Sequence, residues 1–270
     1  MKKLSLIFSF LFISGCLFAA DDSETSMVVV NYLVNFKEAV ENKDFSTDEM
    51  ILEVRGNQTS FYSRWGRMRK ERMDSLQQTG ITDAWELQGR VGDLPRSFFR
   101  YSVLCNYPAQ GQRTVYSKHY QSIYYEEPAD AQEWEITDSD SLIIGYNCQM
   151  ATCQYRGHSW NVWFASDIPV SAGPWKLSGL PGLILKASDT NGMCTFEAIG
   201  IREEKGTALY VPKMDALKSS RKQDSELVKL MYSNVDEYLK HMGLNGSNVM
   251  GRNGMTGKVR SKTAVLLEEE

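Results

Sequence analysis

The chain has little of what most catalytic constellations need. It carries three histidines in 270 residues, His119, His158 and His241. No glycine-rich loop follows a strand to cradle a phosphate, and no Gly-x-Ser-x-Gly elbow is present to expose a nucleophilic serine. Positive charge is not in excess: the net charge is −4, which argues against a nucleic-acid binder with its basic face or stripe. Beyond residue 20 no run is long and apolar enough to cross a bilayer as a helix. With 42% hydrophobic and 24% charged residues, the composition is that of a globular protein, neither a disordered chain nor a membrane bundle.

The first twenty residues read as an export signal. Lys2 and Lys3 form a positive start, and residues 4–13 form an apolar stretch too short to span. Ile13-Ser14-Gly15-Cys16 resembles a bacterial lipobox, in which Cys16 would be acylated; cleavage near Ala19 or Ala20 is the alternative. Either route leads to the periplasm or the outer membrane. It leaves Cys105, Cys148, Cys153 and Cys194, which in an oxidising compartment read as two disulfides with three possible pairings. One option is a local Cys148–Cys153 bridge with a long-range Cys105–Cys194 clasp.

The 11% aromatic content suits strands. Residues 27–36 are valine-rich and extended. Residues 50–55 and 60–63 flank Gly56-Asn57 as a hairpin. Residues 64–78 have helical spacing and a basic face, Arg64, Arg67, Arg69, Lys70 and Arg72, read as a solvated surface or as a contact for anionic lipid headgroups or an acidic partner. Strands are expected over 97–106 and 114–125, a polar turn at 138–141, two strands joined near Gly157, and a last hairpin around 189–192. Residues 214–242 repeat apolar positions at helical spacing, and Gly243 ends that helix. Strands first and a long helix last point to α+β, one domain over 21–243 with an antiparallel sheet. Residues 244–270 read as a disordered tail, its 264–267 apolar run frayed.

Several chemistries can be drawn from these residues. Cys148, Cys153 and His158 have a zinc-like spacing, but exported thiols pair, and no metal or cofactor is expected. His158 with Asp167 and Ser166 or Ser178 could be imagined as a triad. Glu126-Glu127 or Glu133 and Glu135 could be imagined as paired acids. Each is better read as structure or surface.

The densest block runs from Trp160 to Ile184. It holds Trp160, Trp163, Phe164, Gly173-Pro174-Trp175 and Gly179-Leu180-Pro181-Gly182-Leu183-Ile184. With Arg156-Gly157-His158 before it, the block resembles the signature of the GLPGLI family, envelope proteins of Bacteroidetes, over about residues 50–203. The family is similar to the bowl-like N-terminal domain of one class of peptide-N-glycosidases. The resemblance implies a curved antiparallel sheet, bowl or half-barrel, with packed helices and a non-catalytic role. It also implies a partner such as a TonB-dependent receptor of the outer membrane. Trp160, Trp163, Phe164, Trp175 and Leu180 are then the expected surface for an apolar ligand or peptide, with core packing as the alternative reading.

Overall fold

A computed structural model of the chain describes residues 26–213, 215–243 and 261–269. The expected export signal with Cys16, and residues 244–260 of the expected tail, lie outside the described residues.

The valine-rich stretch forms β1 (Ser26–Phe36), which pairs along its length with β2 (Ser46–Arg55) on one side and β11 (Cys194–Lys205) on the other. From β2 the chain turns through Gly56-Asn57 into β3 (Gln58–Ser63) and the helices α1 (Arg64–Gln78) and α2 (Ala84–Arg90). It then adds β4 (Tyr101–Cys105), β5 (Gln112–Ser117) and β6 (Ile123–Pro128). A second meander holds β7 (Glu135–Ile143), β8 (Tyr146–Tyr155), β9 (His158–Ala165), β10 (Leu183–Asp189) and β11. The short β12 (Leu217–Lys218) pairs parallel with β6 and precedes α3 (Arg221–Ser233) and α4 (Val235–His241). The result is an α+β fold around one open twelve-stranded sheet, ordered β12-β6-β5-β4-β3-β2-β1-β11-β10-β9-β8-β7. All its pairings are antiparallel except that of β12 with β6.

The sheet curls strongly. Seven strands separate β5 from β8, about 38 Å in a flat sheet, yet Arg113 of β5 donates to the Tyr155 hydroxyl of β8 at 2.8 Å. Phe61 of β3 meets Phe196 of β11 edge-on at 6.1 Å, and the Tyr32 hydroxyl of β1 donates to the Ile184 carbonyl of β10 at 2.6 Å. The hollow is filled: Tyr32, Phe61, Phe99, Trp160, Phe164, Trp175 and Phe196 share one buried cluster. On the other face of β1, Met27 and Val29 pack with Ile51 and Tyr62 beneath Leu209 and Tyr210.

The hairpins at 56–57 and 189–192 and helix α1 fall where the pattern predicts them. Elsewhere the structure differs for identifiable reasons. The expected 97–106 strand is extended in the sheet only over β4, and 114–125 is two strands, parted where His119 turns to a buried partner. The polar run 138–141 is not a turn but part of β7, which pairs only with β8, has a bulge between Ile136 and Asp140, and is exposed along most of its length. A strand with almost no buried face shows no apolar alternation. The expected long C-terminal helix is two helices, broken at Asn234 (φ −150°, ψ 84°), whose side chain accepts from the Glu237 amide and caps α4. Residues 261–269, expected to fray, lie against the domain.

The expected disulfides are also corrected: Cys105, Cys148, Cys153 and Cys194 are free thiols. Cys148 and Cys153 lie on one extended strand, about 16 Å apart and beyond the roughly 7 Å limit of a bridge. Cys105 on β4 and Cys194 on β11 are four strands apart in the order and sit towards opposite ends of the ladder, Cys194 opposite Phe36 and Cys105 opposite Thr59. Burial pushes the Cys153 thiol up to about 11 and Cys194 well above the ordinary range, which leaves little of the reactive thiolate.

Two outcomes follow for stability. Adding a reductant should leave the melting temperature unchanged; a fall would show that bridges form. Trp160→Ala should cost about 3–5 kcal/mol in denaturant unfolding, as a large core truncation does. Trp163→Ala should cost less than half of that, because its ring lies on the other face of β9, beneath Lys186. Equal losses would contradict this placement.

Candidate functional site

The signature block folds as β9, a long connection over 166–182, and β10. The connection turns into the curl instead of over it. Gly182 permits this: a Cβ there would lie 2.3 Å from the Ala165 carbonyl oxygen. Trp175 adopts φ +56°, a left-handed conformation that costs a bulky residue on the order of 1–3 kcal/mol. Its surroundings hold it there. Its ring lies 5.7 Å from Trp160 and 6.0 Å from Tyr155. The neighbouring Lys176 carbonyl accepts from Gln132 at 2.8 Å, and the Trp134 indole donates to the Ser178 carbonyl at 2.8 Å.

Of the five residues expected to form a ligand surface, Trp160, Phe164, Trp175 and Leu180 come together in the buried cluster, and Trp163 lies outside it with partial exposure. Trp175 also borders a polar hollow of about 250 Å³ that it shares with Arg113, Asp130 and Lys176. The indole N–H groups of Trp160 and Trp175 have no partner among the described residues.

The imagined catalytic sets are not assembled. His158 opens β9 and Asp167 follows its end, about 30 Å apart at strand rise. Glu126 and Glu127 point to opposite sides of β6: Glu126 pairs with Lys218 at 2.8 Å outside, and Glu127 with Lys176 inside. A Ser-His-Asp grouping missed in the sequence exists at His119, but its geometry is structural. Asp224 Oδ1 lies 2.7 Å and Ser117 Oγ 3.3 Å from the same nitrogen, Nε2. A working triad places serine and acid on opposite ring nitrogens. This group ties α3 to the β5–β6 connection, and α4 joins it through the Tyr238 hydroxyl, 3.4 Å from Nδ1.

Beneath the signature block lies a buried ionic cluster. The Lys176 ammonium, fully buried, reaches Glu127 Oε1 at 2.7 Å, the carboxylate of Glu268, and the Tyr125 hydroxyl at 3.3 Å. Arg156 pairs with Asp130 at 2.6 Å and lies 3.4 Å from Glu127. Burial, with Glu268 adding to it, drives the Tyr125 phenol far above its usual range, so it remains a neutral donor. The signature stretch holds Arg156 and Lys176, but no motif marked the cluster as a whole, because four separate chain segments contribute it.

A second charged region opens on the other side of the domain. A cleft of about 290 Å³ lies between α1, the 97–102 segment and residues 210–215. Tyr62, Phe99, Tyr210 and Pro212 give it apolar walls, and Arg67, Lys70, Arg100, Lys118 and Lys213 line it together with one acid, Asp215. The fold neutralises the basic face of α1. Arg64 meets Glu49 at 2.6 Å, Arg67 meets Glu71 at 2.7 Å, Arg72 meets Asp93 at 2.6 Å, Lys70 pairs with Asp74, and Arg69 donates to the carbonyls of Val91 and Leu94. Lys118 is different. It donates to the Ser97 carbonyl at 3.2 Å and makes no ion pair among the described residues. It reaches solvent at the cleft mouth, yet desolvation lowers its pKa, and the nearby guanidinium groups of Arg100, Arg69 and Arg96 lower it further against the pull of Asp48. Asp48 is occupied below, accepting from the amides of Phe98 and Phe99 at 2.9 and 3.0 Å and from Ser63 at 3.0 Å. The sequence signal for a basic site was real but pointed at α1. The lysine that lacks a counter-charge comes from a connection between strands.

Comparisons bear on the whole fold. No match is found among curated proteins. Two solved structures of PNGF-II, in the C2 and P21 space groups, align with 75% of this chain at 15% and 14% identity, each with a TM-score of 0.48. The alignment covers 32% and 33% of those chains, so this chain spans about a third of their length. A family model, N-glycanase peptide, N-terminal domain, matches residues 112–231. The matched stretch holds Arg113, Lys118, Glu127, Arg156 and Lys176 together with the whole signature block, and through it the chain is similar to the N-terminal domain of a peptide-N-glycosidase.

Proposed function

We propose that this protein is an exported, non-catalytic binding module of the cell envelope, and that its ligand is an organic anion with an apolar body, held in the cleft at Lys118. The observation that carries this reading is an ammonium group without a counter-ion, set among guanidinium groups and facing aromatic walls. Such a site accepts a carboxylate or phosphate head and excludes water around an apolar tail. Export rests on the pattern of Lys2, Lys3 and residues 4–13. The non-catalytic role is supported by the likeness to an N-terminal domain, which is a part of a longer protein.

The proton linkage has a definite sign. The Lys118 pKa is lower in the folded chain than in the unfolded one. The unfolded state therefore binds this proton more tightly, and stability rises with pH between the lowered value and the ordinary lysine value of about 10.4. Whenever it carries its proton the lysine costs the fold stability, a cost that a bound anion offsets.

Calorimetric titration with dodecanoate is the direct test. Lys118→Met should weaken binding about tenfold or more, as losing one charged hydrogen bond does, while leaving the melting temperature equal or higher. A variant that melts lower and binds as before would sink the assignment. Affinity of the unaltered protein should hold near neutral pH and fall as pH rises through the lowered lysine pKa. Flat affinity up to the onset of alkaline unfolding would show that Lys118 does not hold the head group.

A further inference from the structure

Residues 261–269 follow 244–260 in the chain and lie across the domain as an extended segment. The Val40 amide donates to the Thr263 carbonyl and the Lys262 amide to the Tyr232 carbonyl, each at 2.9 Å, and Thr263 donates to the Glu41 carboxylate. Ala264 forms an isolated bridge with Ala39, the Val265 amide donates to the Glu38 carbonyl at 3.1 Å, and the Glu269 amide donates to the Arg156 carbonyl at 2.8 Å. Two side chains go inward: Leu267 packs against the core cluster, and Glu268, 7% exposed, enters the ionic cluster. The backbone passes over the β8–β9 turn, where Gly157 leaves room for it. A Cβ there would lie 2.6 Å from that of Glu269.

The receiving site has a charge balance that requires an anion. Lys176, Arg156 and Arg221 all face the Glu268 carboxylate. Without it, Glu127 and the more exposed Asp130 are the acids left to them. Removing one partner from a buried ionic group leaves uncompensated charge, which is costly. The present occupant is bound through one carboxylate oxygen: Oε1 meets Lys176 and accepts from the Tyr125 hydroxyl at 3.2 Å. Glu268 Oε2 lies 3.8 Å from both Arg156 and Arg221 and has no hydrogen-bond partner among the described residues, and neither does Arg156 Nε. Beside Val265 and Leu267 a small open pocket of about 40 Å³ remains, lined by Phe36, Phe99 and Val228 and also by Lys37, Glu38 and Arg100.

We propose that this groove is a binding site for an extended acidic peptide in which an apolar residue precedes a glutamate, and that residues 261–269 are its resident, exchangeable occupant. The apolar residue fills the hollow by Phe99, the glutamate reaches Lys176 and the two arginines, and the backbone bonds to Glu38 and Arg156. Recognition is thus an extended strand read through main-chain bonds and alternate side chains. A tethered occupant competes through its high local concentration, so a free peptide wins only if it fits better. The small pocket and the unbonded carboxylate oxygen define what better means: a larger apolar residue and a slightly different acid position.

The test uses the full chain and a labelled synthetic peptide with the sequence of residues 262–269, followed by fluorescence anisotropy. Leu267→Ala/Glu268→Gln, which disables the resident segment, should bind the peptide at least about tenfold more tightly than the unaltered chain. A peptide with glutamine at the position of Glu268 should bind that variant about tenfold more weakly, as should the original peptide when Arg221→Ala is added. A peptide with phenylalanine at the position of Leu267 should bind more tightly. A folded double variant that takes up no peptide, or takes up the glutamine peptide equally well, would overturn the proposal. Hydrogen exchange on the unaltered chain gives a second reading that needs no variant. The amides of Val265 and Glu269 should exchange by local opening, well before those of β1; exchange only on global unfolding would make the segment a fixed part of the fold and end the proposal.

Discussion

The ladder between β1 and β11 is what makes this chain one body. Each meander pairs only with itself everywhere else: β2 to β6 on one side, β7 to β10 on the other. β1 joins them, pairing with β11 over all eleven of its residues and with β2 over nine, Val28–Phe36. This explains its composition. A strand in the middle of a strongly curled sheet, with the large core on one face and Leu209 and Tyr210 over part of the other, has little solvent face to supply polar residues. A near-continuous apolar run is the expected result. Ordinary alternation gives Val29 and Val30 to opposite faces, and the register shift between Asn31 and Tyr32 leaves Ile199 of β11 without an opposite residue.

Curling brings a difficulty with it. A sheet rolled this far encloses more than its own inward side chains can fill, and the signature connection supplies the rest with Trp175, Leu177 and Leu180. One end of the hollow is then aromatic and the other ionic, with Arg113 donating to Tyr155 and to the Lys176 carbonyl between them. The ionic end adds little to stability once desolvation is counted. It does give the inserted connection one way to sit, because sliding it by a residue would strand the Lys176 ammonium in hydrocarbon.

Local patterns carried far in the sequence. The turn at Gly56-Asn57, the span of α1 and the final hairpin are set by residues within a few positions of one another, and they were legible. So were the α+β class and the open antiparallel sheet. What was not legible depends on partners far away in the chain. The split of 114–125 follows from His119 meeting Asp224, 105 residues on. Asn234 looks like an ordinary helix residue until its side chain is seen to cap α4. For the site, the tryptophans were found and core packing was among their readings, but which of them are buried was not legible, since an aromatic wall and an aromatic core have the same letters. The basic helix was found; two of the acids that neutralise it, Glu71 and Asp74, sit one turn on along α1, and two arrive from elsewhere, Glu49 on β2 and Asp93. Lys118, Lys176 and Glu268 each stand alone in sequence, and only the curl gives them meaning.

The outer edge of the sheet has a consequence of its own. β7 has neighbours on one side only, and its free backbone groups are a template onto which another chain could add. It carries Glu135, Asp138 and Asp140 and breaks its own register in the middle. Repelling charge and a kinked backbone are poor footing for a strand from a second molecule. The opposite edge, β12, is only two residues long. Among the described residues, a twelve-stranded sheet that does not close thus presents two borders that are poor seeds for fibrous assembly.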